Sequence, residues 1–227
     1  MKNVGGLEVI QDLNSNSKTH IVILHGYGAN ANDLYSLKQF FDPETKYNWH
    51  FPNGFLDLGS TPAFESKAWF PIDIEAYEKA QSEGRHRDLA IVRPAGLNEA
   101  RDRLLKFLKE ILGEGDQLIL GGFSQGAMLS TELSFQVASV LKGLIVLSGA
   151  LLDEKFWVPN LSKLKGVPFI QSHGESDPVL SFDEAKRLSE FFKQSELQGE
   201  FLNFQGGHEI PMYIAAKTKD FIEKYAN

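Results

Sequence analysis

The chain is expected to fold as a doubly wound α/β unit: a mainly parallel, twisted sheet with helices on both faces. Three observations lead there. Several short runs are apolar without interruption, as strands buried on both faces of a parallel sheet must be. The stretches between them carry apolar residues at spacings of three and four. The two kinds of segment alternate along the chain, which is the pattern of βαβ units.

Strands are expected at residues 7–11, 19–24, 47–51, 117–120, 143–147, 167–172 and 200–204. The first joins the second through Asn14-Ser15-Asn16-Ser17, short enough for a hairpin, so the sheet is expected to begin antiparallel. Leu97, Ala100, Leu104, Leu108 and Ile111 form one stripe of a helix that Gly113 can close. Ser181 with Glu184 has the spacing of a capping box and opens a helix running to about Phe192. Pro211 suits the first turn of a last helix whose stripe is Ile214, Thr218, Phe221, Ile222 and Tyr225. Residues 52–93 break the rhythm. They mix Pro, Gly, Ser and charges with Phe55, Phe64, Trp69, Phe70 and Tyr77, and long irregular insertions of this kind are often lids or binding loops.

At 227 residues and 42% hydrophobic composition the chain is long enough for one large core, so one domain over 1–227 is expected. A formal charge of −7 repels polyanions and argues against nucleic acid or an anionic membrane as the main partner. With no cysteine, thiolate catalysis and cysteine-ligated zinc are excluded. No apolar run reaches the ~18 residues of a membrane span and the first residues lack a secretory apolar core, so the expectation is a cytoplasmic protein without stable membrane insertion.

Gly122-Phe123-Ser124-Gln125-Gly126 is a G-x-S-x-G pentapeptide with an apolar run before it and a helix-compatible stretch after it. A serine in a sharp strand-to-helix turn has an exposed hydroxyl, with the amides of a helix N-terminus beside it. A serine hydroxyl needs an imidazole to accept its proton, and the imidazole needs a carboxylate to fix its tautomer. His208, in Gly206-Gly207-His208-Glu209, and Asp177, in His173-Gly174-Glu175-Ser176-Asp177-Pro178, both follow expected strands. Asp153 is the runner-up acid. The order Ser, Asp, His is that of α/β-hydrolases. His25-Gly26-Tyr27-Gly28 follows another strand, where the Tyr27 amide, with that of Gln125, can face a developing oxyanion. His25 and His173 are read as hydrogen-bonding within their loops. Met212 stands where a zincin helix would need its second histidine, so no metal is expected, and no G-x-G-x-x-G or G-K-[ST] element suggests a nucleotide cofactor.

Leu24-His25-Gly26-Tyr27-Gly28, the 122–126 elbow, Leu147-Ser148-Gly149, the 173–179 block and Gly207-His208-Glu209-Ile210 together resemble the signature blocks of the carboxylesterase/phospholipase family, which includes the acyl-protein thioesterases. The blocks run from about residue 20 to 210. The resemblance implies an α/β-hydrolase fold with no large cap domain, a triad of Ser124, Asp177 and His208, oxyanion amides at Tyr27 and Gln125, and no cofactor. It implies small-molecule substrates: carboxylic esters, acyl thioesters or lysophospholipids. Tyr27 replaces the usual leucine of the thioesterases, and their Trp-Phe-Asp block stands here as Trp69-Phe70-Pro71-Ile72-Asp73.

The expected activity is therefore that of a serine carboxylesterase working through an acyl-enzyme. A thioesterase or lysophospholipase using the same residues is the alternative, and a non-catalytic ligand-binding relative is a third reading. Phe64, Trp69 and Phe70 are candidates to line the substrate pocket; equally, they could pin the long loop to the core. Aromatics of this segment could close over a pocket or meet a second subunit in a homodimer.

Overall fold

The computed structural model describes residues 1–59, 61 and 64–226. Its strands are β1 (Lys2–Val4), β2 (Leu7–Asp12), β3 (Thr19–Leu24), β4 (Asn48–Pro52), β5 (Leu56–Asp57), β6 (Lys67–Ala68), β7 (Gln117–Phe123), β8 (Leu141–Leu147), β9 (Pro168–Gly174) and β10 (Gln198–Phe204). Its helices are α1 (Ala31–Tyr35), α2 (Lys38–Phe41), α3 (Ile74–Ser82), α4 (Leu97–Ile111), α5 (Gln125–Val137), α6 (Glu154–Asn160), α7 (Phe182–Gln194) and α8 (Met212–Tyr225). Among the described residues, eight strands form one sheet in the order β1-β2-β4-β3-β7-β8-β9-β10. The run from β4 to β10 is parallel, and β1 and β2 are antiparallel at one edge.

The buried strands sort their side chains by parity. Val22 and Leu24 of β3, Leu118 and Leu120 of β7, and Leu144 and Val146 of β8 join a core with α4, α5 and α7. Ile21, Ile23, Ile119 and Ile145 face the other way, onto a core with α1, α8, Trp49 and Phe51. This two-residue alternation is why strands lacking any polar face are needed between two helical layers. The sheet does begin antiparallel, but not by the expected hairpin: β2 pairs with β1 and β4, and its Gln11 lies opposite His50. β3 is buried at every residue and takes parallel neighbours on both sides, whereas β2 exposes Glu8 and belongs outside β4. Asn14 fastens this arrangement, accepting nothing from β3 and giving its side-chain N–H groups to the carbonyls of Thr45 and Lys46.

α4 begins at Leu97 and is complete before Gly113, and Ser181 caps α7 by accepting the Glu184 amide. Residues 52–93 are more structured than expected. They hold the β5–β6 hairpin and α3, which Asp73 caps by accepting the Ala76 amide; residues 60, 62 and 63 of this segment lie outside the described set. A hairpin of two-residue strands and a helix with no buried residue leave little periodicity to read.

Two buried polar groupings brace the core. Glu132 of α5 is fully buried and accepts from Trp157 Nε1 (2.7 Å) and the guanidinium of Arg93 (2.7 Å), with Arg101 at 3.3 Å. A buried carboxylate is tolerable only with partners of this kind. At the opposite, amino-terminal end of the parallel strands, Gln11, His50, His20 and Asp116 form a chain. Its links are 3.0 Å (Gln11 Nε2 to His50 Nδ1), 3.0 Å (His50 Nε2 to His20 Nδ1) and 3.2 Å (His20 Nε2 to Asp116 Oδ2). One direction of donation satisfies every link: the Gln11 amide gives to His50, His50 gives to His20, and His20 gives to Asp116. Both rings are then neutral. Burial depresses both, and the neighbouring His20 helps to push His50 down to about 3, while Asp116 partly opposes the shift of His20.

A histidine whose folded pKa lies below its unfolded value takes up a proton on unfolding as the pH falls. Its contribution to stability is therefore present above about pH 6.5 and is lost progressively below it. Urea unfolding should show stability falling from pH 7 toward pH 4. His50→Gln should flatten that slope by about 1.4 kcal/mol per pH unit between pH 4 and 6. An unchanged slope in the variant would refute this account of the histidine chain.

Candidate active site

β7 runs out at Phe123 and the chain reverses into α5 at Ser124, whose backbone stands at φ 55° and ψ −118°. A positive φ is strained for a residue with a β-carbon, and such strain persists only where its surroundings enforce it. They do so by close approach. A β-carbon on Gly126 would fall 2.1 Å from the Leu24 carbonyl oxygen, and one on Gly122 would fall 2.4 Å from the Gly126 carbonyl carbon. The two glycines of the pentapeptide thus let β3, β7 and α5 meet at the turn. The Ser124 amide is itself held, donating to Leu147 O at 2.9 Å.

β9 and β10 are paired in register as far as Gly174 and Phe204, so the loops that leave them start side by side. These loops bring two of the sequence-derived residues together: His208 Nδ1 is 2.7 Å from Asp177 Oδ2. The other carboxylate oxygen, Oδ1, accepts the amides of Val179 (2.8 Å) and Leu180 (3.0 Å). Burial works against the charged form of Asp177, but the bond from His208 and the two amides outweigh it and hold the carboxyl below its ordinary range. The Phe123 ring, next to Ser124 in the chain, packs on the His208 imidazole with 4.7 Å between centroids. Asp153, the runner-up acid, is engaged elsewhere: its carboxylate accepts from Arg93 at 3.0 Å.

The loop after β3 closes the site from the other side. Gly26 packs against Ser124, such that a β-carbon on the glycine would meet the serine's at 3.3 Å. His25 accepts the Gly54 amide on Nε2 (2.9 Å) and gives its Nδ1 proton to the Gly26 carbonyl (2.7 Å). Burial pushes this ring down to about 4, so it is neutral, as that pattern of donation requires. Among the described residues, the backbone N–H groups of Tyr27 and Gln125 enter no hydrogen bond, while the neighbouring Gly28 amide is taken up by Lys67 O at 2.8 Å.

The aromatic residues divide. Trp69 is fully buried: its amide gives to Gln125 Oε1 (2.9 Å) and its indole N–H to His25 O (2.9 Å). Phe70 is also buried, and its carbonyl accepts from Gln125 Nε2 at 2.7 Å. Phe64 is 48% exposed. The side chain of Gln125 is thus a clamp that sequence reading misses. Its partners lie 55 and 56 residues away and nothing in the local pattern marks them. His86, whose Nε2 donates to the backbone carbonyl of Asp177 at 2.9 Å, is missed for the same reason.

A chain with this sheet, elbow and acid–histidine contact also matches known proteins along its length. Residues 6–226 match the family model described as Phospholipase/Carboxylesterase. An acyl-protein thioesterase 1 homolog of Dictyostelium discoideum is 34% identical over 139 residues, covering 58% of this chain and 60% of that protein. Acyl-protein thioesterase 1 of Debaryomyces hansenii is 25% identical over 222 residues, 91% of each chain. Among solved structures, esterase PE8 superposes with a TM-score of 0.79 at 26% identity, covering 96% of this chain and 99% of its own. Among the described residues, no helix is long and apolar enough to cross a membrane. The protein belongs to the phospholipase/carboxylesterase family, serine hydrolases of the α/β-hydrolase fold.

Proposed function

We propose that this chain is a serine carboxylesterase in which Ser124 attacks the acyl carbonyl, His208 takes the proton and Asp177 fixes the imidazole. The observation that carries the reading is the 2.7 Å contact from His208 Nδ1 to a buried carboxylate. That contact supports a proton on Nδ1, which would leave Nε2 as the base. The strained turn supports the role of Ser124, because a positive φ would otherwise be costly to keep. In the first half-reaction the hydroxyl oxygen of Ser124 bonds to the acyl carbon, and His208 passes the proton to the departing alkoxide or thiolate. In the second, water gives a proton to His208 and bonds through its oxygen to the acyl carbon; the bond from that carbon to Ser124 Oγ then breaks, and His208 returns the proton to the serine as the carboxylic acid leaves. The amides of Tyr27 and Gln125 receive the oxyanion in both halves, and no cofactor is consumed.

The burial and hydrogen bonding of Trp69 and Phe70 favour the loop-pinning role over contact with substrate, and leave Phe64 as the aromatic available to an acyl chain. A thioesterase acting on longer acyl groups is the second reading. It is favoured by the names of the fungal and Dictyostelium relatives and uses the same atoms. Lysophospholipid substrates, a cytoplasmic setting and a homodimer stay as expectations to be tested beside it.

Two measurements separate these readings. Treatment with a fluorophosphonate should add one phosphonyl group, located by mass spectrometry on Ser124; no adduct would favour a non-catalytic ligand-binding protein. p-Nitrophenyl esters and acyl thioesters of graded chain length should then rank short esters first. A kcat/KM that rises steadily with chain length on the thioester series would assign the thioesterase reading instead.

A further inference from the structure

Asp177 Oδ2 has a second neighbour. His173 at the end of β9 is fully buried, and its Nε2 lies 3.3 Å from Asp177 Oδ2 and 3.1 Å from the carbonyl oxygen of Leu180. Both neighbours are acceptors only, so the ring's proton belongs on Nε2; it is given to Leu180 O, with the carboxylate oxygen beside it outside hydrogen-bond geometry. Its Nδ1 lies near the Gly149 backbone without a well-formed hydrogen bond. The titratable groups facing this ring are Asp177 and His208, from the loops after β9 and β10; α7 contributes only the uncharged ring of Phe182, at 6.3 Å between centroids. With Oδ1 occupied by two amides, the carboxylate has one oxygen for two imidazoles.

We propose that His173 is a positioning residue of the catalytic site: its Nε2–H holds the carbonyl of Leu180, whose own amide holds Asp177 Oδ1, and its N–H edge stands beside Oδ2, so that this oxygen stays on His208 Nδ1. The inference rests on the esterase reading for its kinetic meaning, though the geometry exists without it. Two effects follow. The carboxylate is kept from rotating, because the amides of Val179 and Leu180 fix Oδ1 and His173 fixes the Leu180 end of that turn. The positive edge of the His173 N–H beside Oδ2 also makes that oxygen a weaker acceptor for the His208 proton. Burial keeps His173 itself below its ordinary range, so this edge belongs to a neutral ring.

The test uses 15N-labelled protein and the histidine ring signals, which need no substrate. In the wild type His173 should be the neutral Nε2–H tautomer. An Nδ1–H tautomer would put a lone pair against the carboxylate and overturn the proposal, and that reading requires no variant to fold. His173→Leu, which removes the N–H edge, should move the His208 Nδ1–H proton signal downfield. It should lower kcat on p-nitrophenyl acetate roughly ten-fold with little change in KM. His173→Gln, which keeps an N–H at that place, should return both values toward wild type. A folded His173→Leu protein with an unmoved His208 Nδ1–H signal would reduce His173 to a core residue. A wild type that neither hydrolyses esters nor takes a phosphonyl group, with that signal displaced in the variant, would instead sink the esterase reading and leave the positioning role standing.

Discussion

Ser124→Ala is expected to lower kcat on p-nitrophenyl acetate by about four orders of magnitude or more and to abolish labelling by fluorophosphonate, while the fold and its unfolding temperature stay close to wild type. The loss is large because the attacking oxygen itself is gone, and the fold is kept because the elbow is fixed by the contacts of Gly122 and Gly126 with neighbouring backbone, not by the serine side chain. Ser124 caps nothing, since its side chain accepts no hydrogen bond from α5. Removing its oxygen therefore leaves the helix start as it was. Ser124→Gly separates the chemical role from the conformational one. It should be as inactive as the alanine variant but more stable by roughly 1 kcal/mol, because glycine adopts φ 55° without the β-carbon penalty. Retained hydrolysis in either variant, measured after removal of contaminating esterases, would refute the nucleophile assignment.

Asp177→Asn should be nearly as damaging, with kcat reduced about 10⁴-fold and KM little altered. The substituted amide has a forced orientation. The amides of Val179 and Leu180 donate to Oδ1, so the asparagine must keep its carbonyl oxygen there and turn its NH2 toward His208. A donor then faces Nδ1, which holds His208 in the tautomer whose Nε2 already carries a proton and cannot accept another from Ser124. His173 Nε2 meets the same NH2 and must also reorganise. The pH dependence of kcat/KM, with a ring 15N spectrum showing the switched tautomer, checks both parts. An asparagine variant with near wild-type turnover would remove Asp177 from the mechanism and return attention to Asp153, whose carboxylate is engaged by Arg93.

Much of this was legible in the chain because strands buried on both faces and helices buried on one leave different periods. The runs in β3, β7, β8 and β9 and the stripe of α4 stand out for that reason. The partner of β2 was not legible. Strand pairing is decided by which neighbour best covers each face, and the short Asn14–Ser17 link is equally compatible with a hairpin and with a turn away from it. Ser124, Asp177 and His208 were each marked by glycines or a strand end, and the structure sets His208 Nδ1 2.7 Å from Asp177 Oδ2. His25, His173 and Gln125 were visible as residues, but what they do depends on single atoms: which nitrogen holds a proton, and which carbonyl lies within 3 Å. His173 stands four positions before Asp177, a spacing that carries no signal in a loop.

The insertion between β4 and α4 is moored at both ends. Its inner portion is tied to the loop after β3 through Lys67 with Gly28 and Ala29, and through Trp69 with His25. Its outer portion is tied to the turn after β9, where Gln81 holds the carbonyl of Pro178 and His86 that of Asp177. A segment tied to two separate loops cannot move as one rigid door without breaking one set of ties. Displacing its outer portion would release the backbone carbonyl of Asp177, so movement there reaches the loop that carries the acid.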